Sequence, residues 1–318
     1  MITSKRIVRL GLFGTLALFA LTSTCQKIGF AMDDFDYVRW VEDSSTFYQQ
    51  ATKLGAEVLI TSCDSDPSLH LQQVKKMVEQ EEVQCLVIVA SDKMKNGEIL
   101  DYAASKNVPT ILYDRVVFGS ADYYISFDSE EIGEQMATYI IENTEPGANV
   151  VLFNGPSSDY NSTLIKKGVM NILAPYLEAQ RVNLIYDHTL AYWTTMEGFQ
   201  AMSNLLVDNT KKIDAIICPS DRISAGVIEA LDMFPNLKQP IIVGQDGGPV
   251  SREFIKQGKQ HFSVNKPSND LAKMTAEVAV AIANGKGSPY VAEKIKIAGI
   301  DYNYIQMQAI PITKESLR

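Results

Sequence analysis

The stretch from Lys27 to Thr61 reads KIGFAMDDFDYVRWVEDSSTFYQQATKLGAEVLIT and contains one strand–helix–strand pattern. The run Lys27 to Met32 is short and mostly apolar, and so is Glu57 to Thr61. Such runs are typical of strands that are buried on both faces of a parallel sheet. The segment between them, Asp36 to Leu54, carries apolar residues at intervals of three and four, which predicts a helix. Strand, helix and strand in succession form the repeating unit of α/β proteins, so this stretch predicts that fold class.

The same alternation continues along the rest of the chain. Further strand-like runs, rich in Val, Ile and Leu, are Cys85 to Ala90, Pro109 to Tyr113, Asn149 to Phe153, Val182 to Tyr186, Asp214 to Cys218 and Pro240 to Gly244. Helical spacing returns in Leu69 to Glu82, Glu130 to Glu142, Thr163 to Ala179 and Ile223 to Leu231. The pattern runs to Tyr124 and starts again near Asn149, which predicts two doubly wound lobes, each with a parallel sheet.

The tail of the chain determines how the two lobes are connected. After His261 come an extended run, a helical segment from Asp270 to Asn284 and a second extended run from Ile295 to Ile310. These elements are enough for the chain to cross back to the first lobe and return, which predicts a three-segment hinge with a ligand site between the lobes. The predicted parts are an export segment (1–25), an N-terminal lobe (26–127 with 267–291) and a C-terminal lobe (128–266 with 292–318).

Residues 1–25 have the layout of an export signal. Lys5, Arg6 and Arg9 precede an apolar run from Leu10 to Leu21, as in the charged and hydrophobic regions of a secretory signal. The run is shorter than the roughly 20 apolar residues that a membrane-spanning helix needs. Cleavage of the segment, lipidation at Cys25 and retention as a membrane anchor all remain open. Each of them places the rest of the chain outside the cytoplasm, in the periplasm or on the outer face of the membrane.

The composition excludes several classes of protein. The 318 residues include 29 Lys and Arg and 38 Asp and Glu, so the formal charge is 29 − 38 = −9, which excludes a protein that coats nucleic acid. Hydrophobic residues make up 46% of the chain, which is enough for a packed core and excludes general disorder. The three histidines share no spacing, and the sequence has no C-x-x-C, G-x-G-x-x-G or P-loop pattern. We therefore expect no metal site and no cofactor.

Polar and aromatic residues collect directly after the predicted strands. In open α/β sheets, ligands bind at the carboxyl ends of the strands. Both tryptophans of the chain, Trp40 and Trp193, lie at such positions. An aromatic face can pack against the C–H face of a sugar ring, while carboxylates accept and arginines donate hydrogen bonds at its hydroxyl groups. The residue types therefore favour a sugar as the ligand.

The charged residues at these strand ends nearly balance. The cations are Arg39, Arg115 and Lys266, and the carboxylates that face them are Asp159 and Asp246. A phosphate site would be more cationic and would usually have a glycine-rich loop at the start of a helix. The predicted ligand is therefore neutral and polyhydroxylated.

Several motifs occur in one order along the chain. They are Lys27-Ile28-Gly29-Phe30-Ala31-Met32-Asp33-Asp34 with Arg39-Trp40, Tyr113-Asp114-Arg115, Tyr124-Ile125-Ser126-Phe127-Asp128, Lys212-Ile213-Asp214-Ala215, Gly244-Gln245-Asp246 and Lys266-Pro267. In these motifs the chain resembles the D-xylose-binding members of the type I periplasmic sugar-binding protein family of bacterial ABC transporters. The resemblance covers nearly all of the chain after the export segment.

The resemblance implies a fold, a ligand and a set of contacts. The fold is the type I periplasmic-binding-protein fold, which closes on D-xylose or a similar pentose between two lobes, with no catalytic residue. The implied ligand contacts are Arg39, Trp40, Arg115, Asp159, Asn161, Trp193, Asp246 and Lys266, with Ser220 at the position where the family has an asparagine. A second departure is Tyr160, a bulky aromatic residue where the family has asparagine.

The resemblance also implies partners. The expected function is an extracytoplasmic protein that delivers the sugar to the membrane permease of an ABC transporter. An alternative is a co-receptor that presents the bound state to a membrane sensor histidine kinase. A glycosidase with Asp159 and Asp246 as paired carboxylates is a third hypothesis. A transcriptional regulator on the same core is set aside, because the export segment stands where a DNA-binding helix-turn-helix would have to precede the first strand.

Each candidate residue also has a purely structural interpretation. The alternatives are a core position for Trp40, packing for Trp193, a surface ion pair for Arg115 with Asp114, a solvated hinge position for Lys266 and helix capping for Asp159, Asn161 and Asp246.

Overall fold

The computed structural model describes residues 25–208 and 211–317. The strands in this part of the chain are β1 (Lys27–Met32), β2 (Glu57–Ser62), β3 (Cys85–Ile88), β4 (Thr110–Tyr113), β5 (Tyr123–Phe127), β6 (Ala148–Asn154), β7 (Val182–Thr189), β8 (Ala215–Ile217), β9 (Ile241–Asp246), β10 (Phe262–Asn265), β11 (Glu293–Ile297), β12 (Ile300–Met307) and β13 (Ile310–Ile312). The helices are α1 (Val38–Lys53), α2 (Pro67–Glu79), α3 (Gly97–Ser105), α4 (Ser129–Asn143), α5 (Tyr160–Glu178), α6 (Thr195–Asp208), α7 (Asp221–Asp232), α8 (Pro249–Gln257) and α9 (Ser268–Ala283).

The strands form two sheets, one in each lobe. The first sheet has seven strands in the order β11-β12-β5-β4-β3-β1-β2, and the second has six in the order β13-β10-β9-β8-β6-β7. Pairing is parallel except for the edge strands β11 and β13, which run antiparallel to their neighbours. The strand order doubles back from the first strand of each lobe, which confirms the predicted fold class of two doubly wound α/β lobes.

Helices cover both faces of each sheet. Helices α1 and α9 pack on one face of the first sheet, and α2 and α3 pack on the other. In the second lobe α4 and α5 cover one face, and α6 and α7 cover the other. The inner strands β3 and β4 are buried along their whole length between two helical layers, which is why they are short, mostly apolar runs without polar alternation.

The chain passes between the lobes three times. The passages lie after Phe127, between Asn265 and Ser268, and between Met307 and Ile310. The prediction that residues 292–318 belong to the C-terminal lobe is wrong for residues 293–307, which form β11 and β12 at the edge of the first sheet.

The reason for this difference lies in the side chains of β12. Tyr302 and Tyr304 are buried against the first lobe, where Tyr304 stacks on Tyr124 at 5.1 Å between ring centroids. The Tyr302 hydroxyl donates to the Val117 carbonyl at 2.7 Å. Ala298 and the following glycine both have positive φ, and this tight turn returns the chain as a hairpin within the same lobe. Only β13 then reaches the second sheet, where it pairs with β10.

The predicted export segment lies outside the described residues except for Cys25. That cysteine is exposed, and its Sγ donates to the Gly55 carbonyl at 3.0 Å. Within residues 25–208 and 211–317, no helix combines the length and apolar character needed to cross a bilayer.

Candidate functional site

All nine predicted site residues line one cavity between the lobes. The start of α1 and the loop after β4 contribute the first-lobe residues. The ends of β6, β7, β8, β9 and β10 lead to the others. The atom-free space among them, including the part that opens to solvent, is about 400 Å³. The lining consists of the predicted Arg39, Trp40, Arg115, Asp159, Asn161, Trp193, Ser220, Asp246 and Lys266, together with Tyr37, Asp114, Arg222 and Gln245.

The four additional residues also follow predicted strands, which is the signal that identified the other nine. Tyr37 lies in the segment between β1 and α1. Asp114 precedes Arg115, Arg222 follows Ser220 by two positions, and Gln245 precedes Asp246, so each stands at the end of a strand or in the turn after it.

In the first lobe, two guanidinium groups lie against the ring of Trp40. The guanidinium carbon of Arg39 lies 4.7 Å from the centre of the Trp40 ring, and that of Arg115 lies 5.3 Å from it. The ring is only 1% exposed, so Trp40 combines the predicted core position with a place in the cavity wall. Cations over an aromatic face are attracted by its quadrupole, most strongly where water is excluded. The stack therefore holds both arginines at the cavity.

Buried carboxylates bind both guanidinium groups. Arg39 contacts Asp114 at 2.9 Å and Asp43 at 3.3 Å. Burial by itself would lower the pKa of Arg39, but Asp114 and Asp43 raise it well above its usual value. Burial likewise opposes the charge on Asp114, but Arg39 and Lys266 outweigh it and lower the pKa of Asp114 to about 2. The charges of this wall are therefore fixed throughout the neutral range.

Arg115 connects the two lobes. Its Nη1 donates to Asp33 at 2.6 Å and to the Ala90 carbonyl at 3.0 Å, both in the first lobe. Its Nε lies 2.9 Å from Oδ2 of Asp159 in the second lobe. The surface ion pair suggested as an alternative for Arg115 with Asp114 is absent, because Arg115 pairs with Asp33 and Asp159 and is largely buried.

In the second lobe, Asp159 organises the start of α5. It is the N-cap of that helix and accepts from the Asn161 N–H at 2.9 Å. The same carboxylate accepts from the indole N–H of Trp193 at 3.2 Å. A Cβ atom on Gly155 would lie 2.1 Å from the Trp193 ring, so glycine is required for the ring to approach the end of β6. Asp159 therefore caps a helix, as the structural alternative states, and also fixes an aromatic wall of the cavity.

Asp246 is held in an unusual backbone conformation at the end of β9. Its φ is +110°, a region that L residues rarely adopt. Its carboxylate contacts the Lys266 ammonium at 3.0 Å and accepts from the Tyr37 hydroxyl at 3.1 Å. Burial and the neighbouring Asp246 raise the pKa of Tyr37 well above its usual value, so the phenol stays a proton donor. The N-cap of α8 is Gly248, so the helix-capping alternative for Asp246 is wrong.

Five buried polar atoms of the cavity-lining residues have no hydrogen-bond partner within the described part of the chain. The donors are Nε and Nη2 of Arg39 and Nε1 of Trp40, and the acceptors are Oδ1 of Asn161 and Oε1 of Gln245. Asn161 uses its amide nitrogen to donate to the Asp114 carbonyl at 3.1 Å, which leaves the oxygen for the cavity. A buried polar atom without a partner costs about 1–3 kcal/mol, so these atoms are candidates for hydrogen bonds to a ligand in the cleft.

Ser220 and Tyr160, the two residues that depart from the family's pattern, lie in different parts of the structure. Ser220 lies in the cavity wall and is the N-cap of α7, where its Oγ accepts from the Ile223 N–H at 3.3 Å. Its hydroxyl hydrogen is free to donate into the cavity. Tyr160 does not line the cavity; its ring packs on Phe118 of the first lobe.

Metal binding has no geometric support in the described part of the chain. No group of three or more His, Cys, Asp or Glu side chains is arranged there to hold a metal ion. The four cysteines, all described, are free thiols.

Comparison with known proteins identifies related chains. The model of the periplasmic binding protein domain matches residues 28–287. The D-xylose-binding periplasmic protein of Escherichia coli is 31% identical over 261 residues, which cover 82% of this chain and 78% of that protein. The D-xylose-binding periplasmic protein of Haemophilus influenzae is 29% identical over 280 residues, which cover 87% of this chain and 84% of that protein. A solved ABC transporter solute binding protein from Clostridium phytofermentans, with bound β-D-glucose, shares the fold with a TM-score of 0.84 at 24% identity, over 91% of this chain and 94% of that one.

Proposed function

Because the chain belongs to the periplasmic binding protein domain family, we propose that it binds a monosaccharide between its two lobes, outside the cytoplasm. The proposed ligand is D-xylose or a similar pentose, and the proposed role is delivery of that sugar to the permease of an ABC transporter. The single observation that carries the proposal is the set of unpartnered polar atoms of the cavity-lining residues, three donors and two acceptors.

A hydroxyl group both donates and accepts, so a polyhydroxylated ring can satisfy donors and acceptors that surround it. The donors Arg39 and Trp40 come from the first lobe, and the acceptors Asn161 and Gln245 come from the second. A ring that bonds to both lobes favours the closed arrangement over the open one, because only the closed arrangement provides both sets of contacts.

The charges of the cavity favour a neutral ligand. Arg39, Arg115 and Lys266 each contact at least one carboxylate within 3.0 Å. An anionic ligand would have to displace these carboxylates and leave them buried without a partner, which costs several kcal/mol. A neutral sugar leaves the ion pairs in place and uses their remaining hydrogen-bonding positions.

The pentose assignment rests on the relatives. The proteins from Escherichia coli and Haemophilus influenzae that match most of this chain are named as D-xylose-binding. The ring of Tyr160 packs on Phe118 and does not line the cavity, so this departure from the family adds no side chain to the cavity wall.

The relatives from Escherichia coli and Haemophilus influenzae are named as binding proteins, and the site offers no support for glycoside hydrolysis. A glycosidase needs one carboxyl group that donates a proton to the leaving group. Asp159 instead accepts from Arg115 and Trp193, and Asp246 accepts from Lys266 and Tyr37. Both carboxylates are acceptors in the cavity wall.

Thermal unfolding with a panel of sugars tests the proposal. The panel includes D-xylose, L-arabinose, D-ribose, D-glucose and xylitol. A sugar at 100 times its Kd should raise the free energy of unfolding by about 2.7 kcal/mol, because it binds only the folded state. A response to D-xylose that exceeds the response to D-glucose supports the pentose assignment. Absence of a response to every sugar would contradict the function.

Two substitutions in the cavity identify the site. Asp246→Ala and Trp193→Ala should remove the response to sugar, since each deletes a wall of the cavity. Tyr192→Ala is the matched control, because Tyr192 adjoins Trp193 but is 67% exposed and does not line the cavity. A wild-type response in Asp246→Ala would place the ligand elsewhere.

Purification from membranes tests the delivery role. Co-purification of the sugar-loaded protein with an ABC permease supports it. A sensor histidine kinase as the co-purifying partner would overturn delivery in favour of sensing.

A further inference from the structure

Tyr160 stands between two residues of the cavity wall, Asp159 and Asn161, yet its own side chain leaves the cavity and contacts the opposite lobe. We propose that Tyr160 is a latch that stabilises the closed arrangement of the lobes without touching the sugar. The proposal rests on the proposed function, because a latch affects sugar affinity only if the sugar binds by closure.

The contact joins an aromatic residue of the second lobe to the surface of the first. The Tyr160 and Phe118 ring centroids are 5.1 Å apart at an interplanar angle of 74°, which is a favourable edge-to-face geometry. The Lys93 ammonium lies 5.5 Å from the centre of the Tyr160 ring. The ring is partly buried against the first-lobe core cluster that contains Val116. Tyr160 belongs to α5 of the second lobe, but its ring packs against the core of the first lobe.

A backbone hydrogen bond reinforces this contact. The Lys93 N–H donates to the Ser158 carbonyl at 3.0 Å, across the cleft and two residues before Tyr160. The two segments that meet are the loop after β3 and the turn before α5. A side-chain contact and a main-chain bond between the same segments fix both the distance and the orientation of the lobes at this edge.

The first-lobe surface that Tyr160 contacts, formed by Phe118 and Lys93, is held in place by hydrogen bonds within the first lobe. The Phe118 N–H donates to the Lys93 carbonyl at 2.9 Å, which ties the two contact residues together. Asn96 holds the loop before them, since its Oδ1 accepts from the backbone N–H groups of Ser91 and Asp92 at 2.8 and 2.9 Å. None of these bonds crosses the cleft. The receiving surface therefore does not depend on Tyr160, and little ordering is required when the latch engages.

The position of Tyr160 in the chain gives the latch its effect on binding. It is the first residue of α5, and its neighbours Asp159 and Asn161 contact Arg115 and the Asp114 carbonyl of the first lobe. Contacts that exist only in the closed arrangement shift the equilibrium toward it. Apparent affinity scales with the fraction of molecules that are closed, so loss of the latch weakens binding although no ligand contact is lost.

Four variants test the latch: Tyr160→Ala, Phe118→Ala, their double variant and Tyr160→Phe. Titration calorimetry with D-xylose gives Kd, stopped-flow mixing gives the dissociation rate, and small-angle scattering gives the radius of gyration with and without sugar. We expect each alanine variant to raise Kd about 3- to 10-fold, with most of the change in a faster dissociation rate. Tyr160→Phe should retain the wild-type Kd, because the ring makes the contacts.

The double variant separates a latch from two independent packing defects. If Tyr160 and Phe118 act through each other, the double variant should bind about as weakly as either single variant. Additive losses, or wild-type Kd and dissociation rate in both single variants, would overturn the proposal. Tyr192→Ala is again the control, since that side chain is exposed and makes no ring contact with the first lobe.

Scattering without sugar distinguishes failure of the latch from failure of the proposed function. If the wild type binds no sugar but ligand-free Tyr160→Ala has a larger radius of gyration than the ligand-free wild type, the proposed function is wrong and the latch stands. If the wild type binds sugar and the alanine variants match it in Kd and in radius of gyration, the function stands and the latch is wrong.

Discussion

Asp221 is a buried carboxyl group that accepts hydrogen bonds from several donors and forms no ion pair with another described residue. Its Oδ2 accepts from the Gly247 N–H at 2.7 Å and from the Ser263 hydroxyl at 2.8 Å, and its Oδ1 accepts from the Gln260 amide at 2.7 Å. Burial and the nearby Asp246 carboxylate raise the pKa of Asp221 to about 7. Through Gly247, the group holds the strained turn that presents Asp246 to the cavity.

This raised pKa predicts a pH-dependent stability difference between the wild type and Asp221→Asn. A carboxyl group with a raised folded-state pKa stabilises the fold fully below its unfolded value of about 3.9, and this contribution is lost as the pH rises through about 7. The free energy of unfolding of the wild type minus that of the variant should therefore fall by up to about 1.4 kcal/mol per pH unit between pH 4 and 7, and level off above. Urea unfolding at several pH values measures it.

The prediction uses the difference in stability between the wild type and Asp221→Asn because a second buried group, His70, also titrates within this pH range. Burial lowers the pKa of His70 to about 4, so its contribution to stability has the opposite pH dependence. Both proteins contain His70, and its effect cancels in the difference. Ser263→Ala, which removes one hydrogen bond but keeps the carboxyl group, should retain the pH dependence. A constant difference between the wild type and Asp221→Asn across pH 5 to 8 would show that Asp221 is ionised throughout.

At the scale of elements, glycines set the distance between paired helices of the second lobe. A Cβ atom on Gly168 of α5 would lie 1.9 Å from the Glu130 carbonyl oxygen of α4, and one on Gly133 of α4 would lie 2.2 Å from the Ile165 carbonyl oxygen. Helices α6 and α7 approach each other in the same way at Gly198 and Gly226. Backbone-to-backbone contact at these crossings packs each helix pair against one face of the sheet.

Gly168→Ala should therefore destabilise the protein. Alanine favours a helix over glycine by about 1 kcal/mol, but the added methyl group has to push α4 and α5 apart. We expect a net loss of about 1–3 kcal/mol in the free energy of unfolding, measured by urea denaturation. Gly287→Ala is the control, because a Cβ atom there meets no atom within 4 Å. If Gly168→Ala were as stable as the wild type or more stable, α4 and α5 would be able to move apart without a loss of free energy.

The elements differ in how far the sequence predicts them. Apolar runs such as Cys85 to Ala90 identify buried strands, and strand ends identify the candidate site, because the period and burial of a strand depend on local sequence. The lobe that receives β12 could not be predicted, since the choice depends on Tyr302 and Tyr304 finding partners far away in the chain. The direction in which the Tyr160 side chain points likewise depends on tertiary contacts, here with Phe118, and not on the local sequence. Its place in the sequence lies between two predicted contact residues, and the structure places the ring outside the cavity.

At the scale of the whole molecule, three connections restrict how the lobes move. The third connection leads from β12 of the first sheet to β13 of the second. Strand β13 pairs with β10 through Ile310, Pro311 and Ile312, opposite Asn265, Val264 and Ser263. Strand β10 leads directly into Lys266, which contacts Asp246 in the cavity. The third connection thus restrains the lobe arrangement and also supports a strand that presents a cavity residue.

Removal of β13 should weaken sugar binding although β13 contributes no residue to the cavity lining. A chain that ends at Gln308 lacks the pairing with β10 and retains two connections, so the lobes can twist as well as close. We expect an approximately tenfold higher Kd for D-xylose by calorimetry, because a smaller fraction of molecules is in the binding-competent arrangement, and a larger radius of gyration without sugar by scattering. A chain that ends at Lys314 keeps β13 and should match the full-length protein in both measurements. If the chain ending at Gln308 also matched it, two connections would be sufficient to align the lobes, and β13 would only cover an exposed strand edge.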